Sequence, residues 1–314
     1  GELEKSKIGS AQPAFTINLL KQMEIKLPAL AVQRRIAGML LAYDDLIEKN
    51  TRRIAILEQM AQMLYREWFV NFHFPGHERV KMMESAIGPI PEEWQFTNIG
   101  ELLMFHIGGG WGEDIASGQL PCEAHVIRGT DIPDVRTGTV DGCPLRFHKE
   151  SNLASRKLKA WDIVFEVSGG SKGQPVGRAA LVHPAVLSVF EGDVICASFC
   201  KLLRPDSSKI GVMHFYQYLL EAYSNGQIEK YQVQSTGITN FKFGVFLEDA
   251  KIAVPPPVIQ AGFERLCQPL IDCIVVLGRK NNILRKTRDL LLPKLITGEV
   301  KVEQLESEAI AQNA

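Results

Sequence analysis

The sequence predicts an α+β protein in which one mixed α/β domain is flanked by two long helices that form an antiparallel coiled coil. Two helical stretches carry apolar residues at alternating steps of four and three, and the second stretch repeats the first after 227 residues. The segment between them has the short strand-like runs of a mixed domain. With 314 residues, 46% of them hydrophobic, the chain can bury more than one core.

The first long helix is predicted over residues 28–72. Pro28 lacks the backbone donor that the first turn of a helix leaves unpaired, whereas Pro75 and Gly76 cannot continue a helix. The apolar stripe of this helix consists of Ile36, Leu40, Tyr43, Ile47, Asn50, Ile54, Leu57, Ala61, Leu64 and Trp68. This spacing is typical of the seam of a coiled coil.

The second long helix is predicted over residues 255–298 and has its stripe in the same register. Its members are Phe263, Cys267, Leu270, Ile274, Leu277, Asn281, Leu284, Arg288, Leu291 and Leu295. Pro269 is expected to interrupt this helix, Pro293 to break it again, and Gly298 to end it. An asparagine occupies the same place in both stripes, where burial costs stability but sets register and direction.

The remaining boundaries follow from composition and from the repeat. Residues 1–27 match the segment that precedes the second helix, so they are expected to be the tail of a domain whose second copy is complete, and the chain is expected to start within a repeat. Residues 73–90 are polar and broken by proline and glycine, as in a linker. Residues 91–254 form the complete mixed domain, and residues 299–314 form an acidic tail.

Composition excludes several function classes. The formal net charge is −1, so any nucleic-acid-binding face must be local. Between Arg146 and Arg178 seven basic residues outnumber three acidic ones, although an ordinary solvated surface has the same appearance. The chain has no apolar run of 18 residues, and its first residues lack the apolar core of a signal peptide, so we expect a cytoplasmic protein without membrane contact.

The sequence shows no assembled catalytic or cofactor site. A phosphate-binding GxxxxGK[ST] motif is absent, and the six cysteines have neither CxxC spacing nor a histidine at ligand spacing. Reduced, mostly buried thiols are therefore favoured over metal ligands. The glycine-rich segment from Gly108 to Gly112 is interpreted as a surface turn rather than a cofactor loop, because no strand–turn–helix context surrounds it. We predict no catalytic residue, no metal and no cofactor.

An ordered set of short motifs points to a family. It comprises Ile90-Pro-Glu-Glu-Trp94, the run from His125 to Ile132, Asp162-Ile-Val-Phe165, Ser168-Gly-Gly-Ser171, Pro175-Val-Gly-Arg178, the run from Ser235 to Asn240, and the run from Ile252 to Gln260. Together with the repeated helix, this set resembles the specificity subunit of type I restriction-modification enzymes over nearly the whole chain.

The resemblance implies an architecture and a set of partners. In that family two target recognition domains alternate with two conserved spacer helices, and each domain reads one half of a split site in double-stranded DNA. Modification subunits that methylate adenine dock on the helices, and a translocating restriction subunit joins them. This chain would then hold one complete recognition domain. It is either a truncated subunit or a half-subunit that forms a homodimer and reads a palindrome.

The candidate DNA-binding residues are polar or small residues of the middle domain: Arg128, Ser168, Gly169, Gly170, Ser171, Lys172, Gln174, Arg178, Asn240 and Lys242. Arginine and lysine pair with guanine or neutralise phosphates, and glutamine and asparagine read adenine. For Arg128 and Arg178, which lie in strand-like runs, a structural salt bridge is an equal alternative. The loop from Ser168 to Gln174 is the strongest candidate, because it is small, polar and positively charged.

Two other functions remain open at this point. A coiled-coil scaffold that binds proteins would also explain the near-neutral charge and the long seams. A standalone methyltransferase is disfavoured, because no stretch of the sequence is suited to seat a flipped adenine.

The loop generates the first prediction. Lys172→Ala should weaken binding to every DNA sequence and reduce the slope of log affinity against log salt by about 0.9, because one phosphate contact is lost. Gel-shift titrations at several salt concentrations measure both quantities. Unchanged affinity and slope would exclude this lysine from the interface.

Overall fold

The computed structural model describes residue 21 and residues 27–85, 88–169, 174–235 and 237–303. It contains two compact units: Glu48–Ile283, and Gly1–Ile47 together with Leu284–Ala314. The predicted mixed α/β class is confirmed. No helix in these ranges is long and apolar enough to cross a membrane.

Seven α-helices occur in the described ranges. They are α1 Leu30–Tyr65, α2 Ile132–Arg136, α3 Glu150–Arg156, α4 Pro184–Leu187, α5 Val212–Ser224, α6 Phe243–Asp249 and α7 Pro257–Thr297. Helix α5 agrees closely with the amphipathic pattern of its sequence, with Phe215 and Leu219 buried.

Fourteen strands are described, most of them short. They are β1 Met82–Ser85, β2 Gly88–Pro91, β3 Gln95–Asn98, β4 Leu103–Gly108, β5 Cys122–Ile127, β6 Leu145–His148, β7 Ile163–Glu166, β8 Ser168–Gly169, β9 Ala179–Leu181, β10 Asp193–Cys196, β11 Cys200–Pro205, β12 Gln232–Ser235, β13 Ile238–Phe241 and β14 Lys251–Val254. The larger sheets have the orders β4-β11-β7-β9, β10-β5-β6 and β12-β13-β8, and β5 and β10 pair in parallel.

The predicted helix ends are partly corrected. Helix α1 stops at Tyr65, and a π-helical turn, Arg66–Val70, follows it. Phe72, two residues after this turn, has a φ of 58°. Gly298 ends α7 with a φ of 75°, as predicted. The interruption at Pro269 and the break at Pro293 are wrong, because α7 continues through both. Each proline removes one backbone donor, and the tertiary contacts of flanking residues outweigh that loss.

The predicted linker over residues 73–90 contains regular structure. Strand β1 pairs with β2 in an antiparallel hairpin, with Ser85 opposite Gly88 and Met82 opposite Pro91. Proline and glycine predict a break in regular structure, yet proline is tolerated in a strand whose donor side is not paired. The predicted tail at residues 1–27 falls outside the described residues, except residues 21 and 27.

The two stripes predicted from the repeat face inward: none of their twenty members is exposed. Within residues 48–283, the Asn50 side chain donates a hydrogen bond to Oδ1 of Asn281 at 2.9 Å, and both residues are buried. The rings of Trp68 and Phe263 lie 5.9 Å apart. Asn50 thus lies against Asn281, and the later residue Trp68 lies against the earlier residue Phe263. Within residues 48–283 the two segments therefore run in opposite directions.

The main core of residues 48–283 joins these helices to the mixed domain. Phe69 stacks on the buried His214 of α5 at 3.8 Å, and its ring also lies 4.7 Å from Phe263 and 5.7 Å from Trp94. Burial lowers the pKa of His214 to about 3, so its imidazole is neutral at physiological pH. One aromatic cluster thus links α1, α5, α7 and the start of the mixed domain.

Helix α7 also caps α5. The Glu264 carboxylate accepts backbone N–H bonds from Met213 at 3.0 Å and from His214 at 3.1 Å, and the Gln260 side chain accepts one from Gly211 at 2.8 Å. Helix N-termini expose unpaired donors and a positive partial charge, so these acceptors stabilise the junction.

The other unit has a small core of its own. Ile36, Leu295 and Val302 are buried together, and Arg288 forms an ion pair with Asp44. Val302 belongs to the predicted acidic tail, whose residues 304–314 lie outside the described ranges.

The asparagine pair generates the second prediction. Asn281→Leu should reduce the free energy of unfolding by about 1–3 kcal/mol, because the buried Asn50 amide loses its acceptor. The double variant Asn50→Leu/Asn281→Leu should be more stable than either single variant, since it removes both polar groups. Urea unfolding measures the differences, and strictly additive losses would contradict the expectation.

Candidate nucleic-acid interface

An open cavity of about 800 Å³ lies in the mixed domain, where several loops meet. Its walls come from the segment after β4, the turn after β5, the end of β7 with β8, and the turn between β10 and β11. The lining residues are Trp111, Arg128, Gly129, Thr130, Glu166, Ser168, Gly169, Gln174, Arg178, Ala197, Ser198 and Phe199. A cavity built from connecting segments on a fixed sheet is a common arrangement for binding sites.

Arg178 is held by a buried carboxylate in this cavity. Its Nε donates to Oε2 of Glu166 at 2.8 Å and its Nη2 to Oε1 at 2.6 Å. The Glu166 side chain is only 3% exposed, and hydrogen bonding to it raises the pKa of Arg178. Paired hydrogen bonds of this kind fix the plane of a guanidinium group.

Gly129 makes room for the carboxylate. A Cβ atom at Gly129 would lie 2.5 Å from Oε1 of Glu166, which is closer than real side chains approach. The absence of a side chain there lets the turn after β5 pass directly over the ion pair.

Arg128 has a mainly structural set of contacts. Its Nε and Nη2 donate to the buried Asp131 at 2.9 and 2.8 Å, and Nη2 also donates to the Gly142 carbonyl at 2.7 Å. The bonds to Asp131 raise the pKa of Arg128. These contacts close the short turn Gly129–Asp131, so this arginine shapes the rim of the cavity.

Two exposed aromatic side chains stand at the rim. Phe199 is 53% exposed in the turn between β10 and β11, and its carbonyl accepts N–H bonds from Val167 and Ser168 at 2.8 and 3.2 Å. Trp111 is 40% exposed, and the Arg146 guanidinium lies 4.4 Å from the centre of its indole ring. The Trp111 ring is therefore held by a cation, whereas at Phe199 the backbone is fixed and the ring is exposed.

The structure brings together about half of the candidate residues. Arg128, Ser168, Gly169, Gln174 and Arg178 line the cavity. Asn240 is adjacent, because its Oδ1 accepts a hydrogen bond from the Ser168 hydroxyl at 2.8 Å. Lys242 is exposed at the start of α6 and does not line the cavity. Gly170, Ser171 and Lys172 fall outside the described residues.

Sequence reasoning missed several lining residues. Trp111 belongs to the glycine-rich segment for which the sequence predicts a surface turn, and that segment lines the cavity. Phe199 lies in the turn just before β11, which begins at Cys200. A tryptophan among glycines is the available signal, since turns are dominated by small and polar residues.

The local basic excess is partly neutralised. Arg146 pairs with Asp114 and Lys157 with Asp193. Arg128 and Arg178, the arginines of the cavity wall, are each paired as well. The cavity thus offers directed donors and aromatic faces rather than a strong positive field.

The cysteines are not arranged for chemistry. Cys143, Cys196, Cys200 and Cys267 are buried, as predicted for most of them, and burial raises the pKa of Cys143 and Cys196 to about 12. Within the described ranges no cluster of three or more histidine, cysteine or acidic residues is suited to hold a metal ion.

Comparison with known proteins gives a consistent set of relatives. Residues 2–59 match the family described as "Type I restriction modification DNA specificity domain". The chain is 29% identical over 310 residues to the MjaIX type I restriction enzyme specificity subunit of Methanocaldococcus jannaschii, which covers 95% of this chain and 65% of that protein. The HindI specificity subunit of Haemophilus influenzae is 35% identical over 60 residues, or 19% of this chain and 13% of that protein.

A solved structure has a similar fold. The type I restriction-modification system S subunit from M. genitalium matches with a TM-score of 0.51 at 15% identity, covering 94% of this chain and 69% of that one. The chain therefore spans about two thirds of the length of the specificity subunits that it resembles.

The rim generates the third prediction. Gly109→Ala should lower the free energy of unfolding by about 1–3 kcal/mol and displace the turn that carries Phe199, because its Cβ would lie 2.2 Å from the Cys196 and Ala197 carbonyl oxygens. Gly108→Ala is the matched control, since nothing lies within 4 Å of its added Cβ. Urea unfolding of the two variants tests this, and equal stabilities would contradict it.

Proposed function

We propose that this chain is the DNA sequence-recognition subunit of a type I restriction-modification system, without catalytic activity of its own. The observation that carries the proposal is the cavity, which is lined by oriented donors and by two exposed aromatic side chains, in a chain similar to specificity subunits over 95% of its length. Its mixed domain would bind one half of a split target in double-stranded DNA.

The chemistry of the cavity suits base edges. Arg178, Ser168 and Gln174 supply hydrogen-bonding groups of the kinds that distinguish base pairs in the major groove. Phe199 and Trp111 supply apolar faces for a thymine methyl group or an unstacked base. Phosphate contacts would come from exposed cations around it, with Lys172 and Lys242 as candidates.

The long helices would act as a spacer. We propose that α1 and α7 form an antiparallel coiled coil that sets the distance from the recognition domain to a second recognition unit. The Asn50–Asn281 bond and the Trp68–Phe263 contact support this pairing within residues 48–283. Dimeric DNA readers fix the separation of half-sites by the same kind of geometry.

Modification subunits would dock on the outer faces of the helices. Ile56 and Ile283 occupy equivalent positions in the repeat, and they are 49% and 63% exposed. Exposed apolar residues at repeat-related positions suit two copies of one partner. The restriction subunit would join this assembly. A homodimer is the arrangement in which a second copy of the chain supplies the other recognition domain.

A coiled-coil scaffold without DNA-reading activity is the alternative. Selection from a randomised duplex library by the full chain, with and without modification subunits, separates the two. Sequence recognition predicts an enriched motif, whereas a scaffold enriches none. Light scattering on the purified chain distinguishes a monomer from a homodimer.

The docking surface generates the fourth prediction. The double variant Ile56→Glu/Ile283→Glu should lose co-purification with the modification subunit, because charge enters an apolar contact. Ala55→Glu, which adds one negative charge at an exposed neighbouring position of α1, is the control and should retain the partner. Retention by the double variant would exclude these residues from the docking surface.

A further inference from the structure

We infer that Arg178 reads a guanine base in the DNA target, through the edge of its guanidinium group that Glu166 leaves free. The inference rests on the proposed function and deepens it, because it assigns one base preference to one side chain. It depends on which of the five guanidinium N–H groups are already used.

Glu166 uses one side of the guanidinium. The Nε–H and one Nη2–H of Arg178 point to its two carboxylate oxygens. Among the described residues, the second Nη2–H and both Nη1–H groups have no acceptor. These remaining donors include a parallel pair at the end of the side chain, and Arg178 lines the open cavity.

That free edge matches guanine. In the major groove guanine presents two neighbouring acceptors, O6 and N7, which a bidentate arginine contacts. Adenine presents N7 beside an amino group, so one arginine donor would face another donor. Cytosine presents an amino group as well. An arginine held in this orientation therefore selects guanine against adenine and cytosine.

Arg128 does not offer the same edge. Both hydrogens of its Nη2 are used, one by Asp131 and the other by the Gly142 carbonyl. Only its Nη1 group remains, which cannot donate two parallel bonds from adjacent nitrogens. Of the two arginines that line the cavity, Arg178 is thus the one suited to bidentate reading.

The carboxylate partner favours a base over a phosphate. Glu166 neutralises much of the charge of Arg178 and would repel a phosphate that came close. It also fixes the guanidinium plane before DNA arrives, which reduces the entropy lost on binding. A fixed, neutralised donor pair suits a neutral base edge.

The test is selection from a randomised duplex library by the full chain bound to its modification subunits. The protein without any substitution should enrich a motif with an invariant guanine. Arg178→Lys keeps the charge but cannot make both sets of paired bonds, so preference at that one position should fall about tenfold to a hundredfold. The salt dependence of binding should stay unchanged, because no phosphate contact is lost.

Arg204→Lys is the matched control. Arg204 forms the same paired contact with Asp162, at 2.7 and 2.7 Å, outside the cavity. Its variant should lose similar stability but select the same motif as the unmodified protein. Glu166→Gln is a second variant, which leaves Arg178 intact but weakens the paired hydrogen bonds that orient its guanidinium group. It should blunt the same guanine preference even if Arg178→Lys folds poorly.

The outcomes are distinct. If Arg178→Lys and Glu166→Gln both retain every guanine of the motif, the inference is overturned and the proposed function stands. A uniform loss of affinity with a smaller salt slope would identify a phosphate contact and also overturn it. If the unmodified protein enriches no motif, the proposed function fails first.

Discussion

The aromatic cluster around Phe69 is the constraint on which the unit of residues 48–283 depends. Phe69 lies in the π-helical turn that follows α1, stacks on His214 of α5 and contacts Phe263 of α7 and Trp94. It therefore belongs to the core of the helices and of the mixed domain at once. Burial leaves the His214 ring nitrogens without partners within the described part of the chain, a cost that close aromatic packing offsets.

The features that the sequence predicted well are periodic or repeated. The inward stripes of α1 and α7 follow from spacing alone, because residues at alternating steps of four and three lie on the same face of a helix. Repetition reinforces this, since Asn50 and Asn281 occupy the same place in the two stripes, and in the structure both are buried and hydrogen bonded to each other.

The cavity could not be predicted in the same way, because its walls are distant in sequence. Whether Arg178 faces solvent or a carboxylate depends on the pairing of β7 with β9, and charge counts do not contain that information. Trp111 reaches the rim because Arg146 fixes it from β6. The predicted breaks at Pro269 and Pro293 are wrong for a related reason, because tertiary packing of α7 outweighs the low helix propensity of proline.

The Glu166–Arg178 pair also constrains how this protein can evolve. Glu166 is almost fully buried, so replacing Arg178 alone would leave an unpaired negative charge in the interior. Losing the carboxylate alone would free the arginine to adopt other orientations. Viable lineages would therefore replace the two positions in concert, and homologues that diverge at residue 178 should carry compensating changes at residue 166.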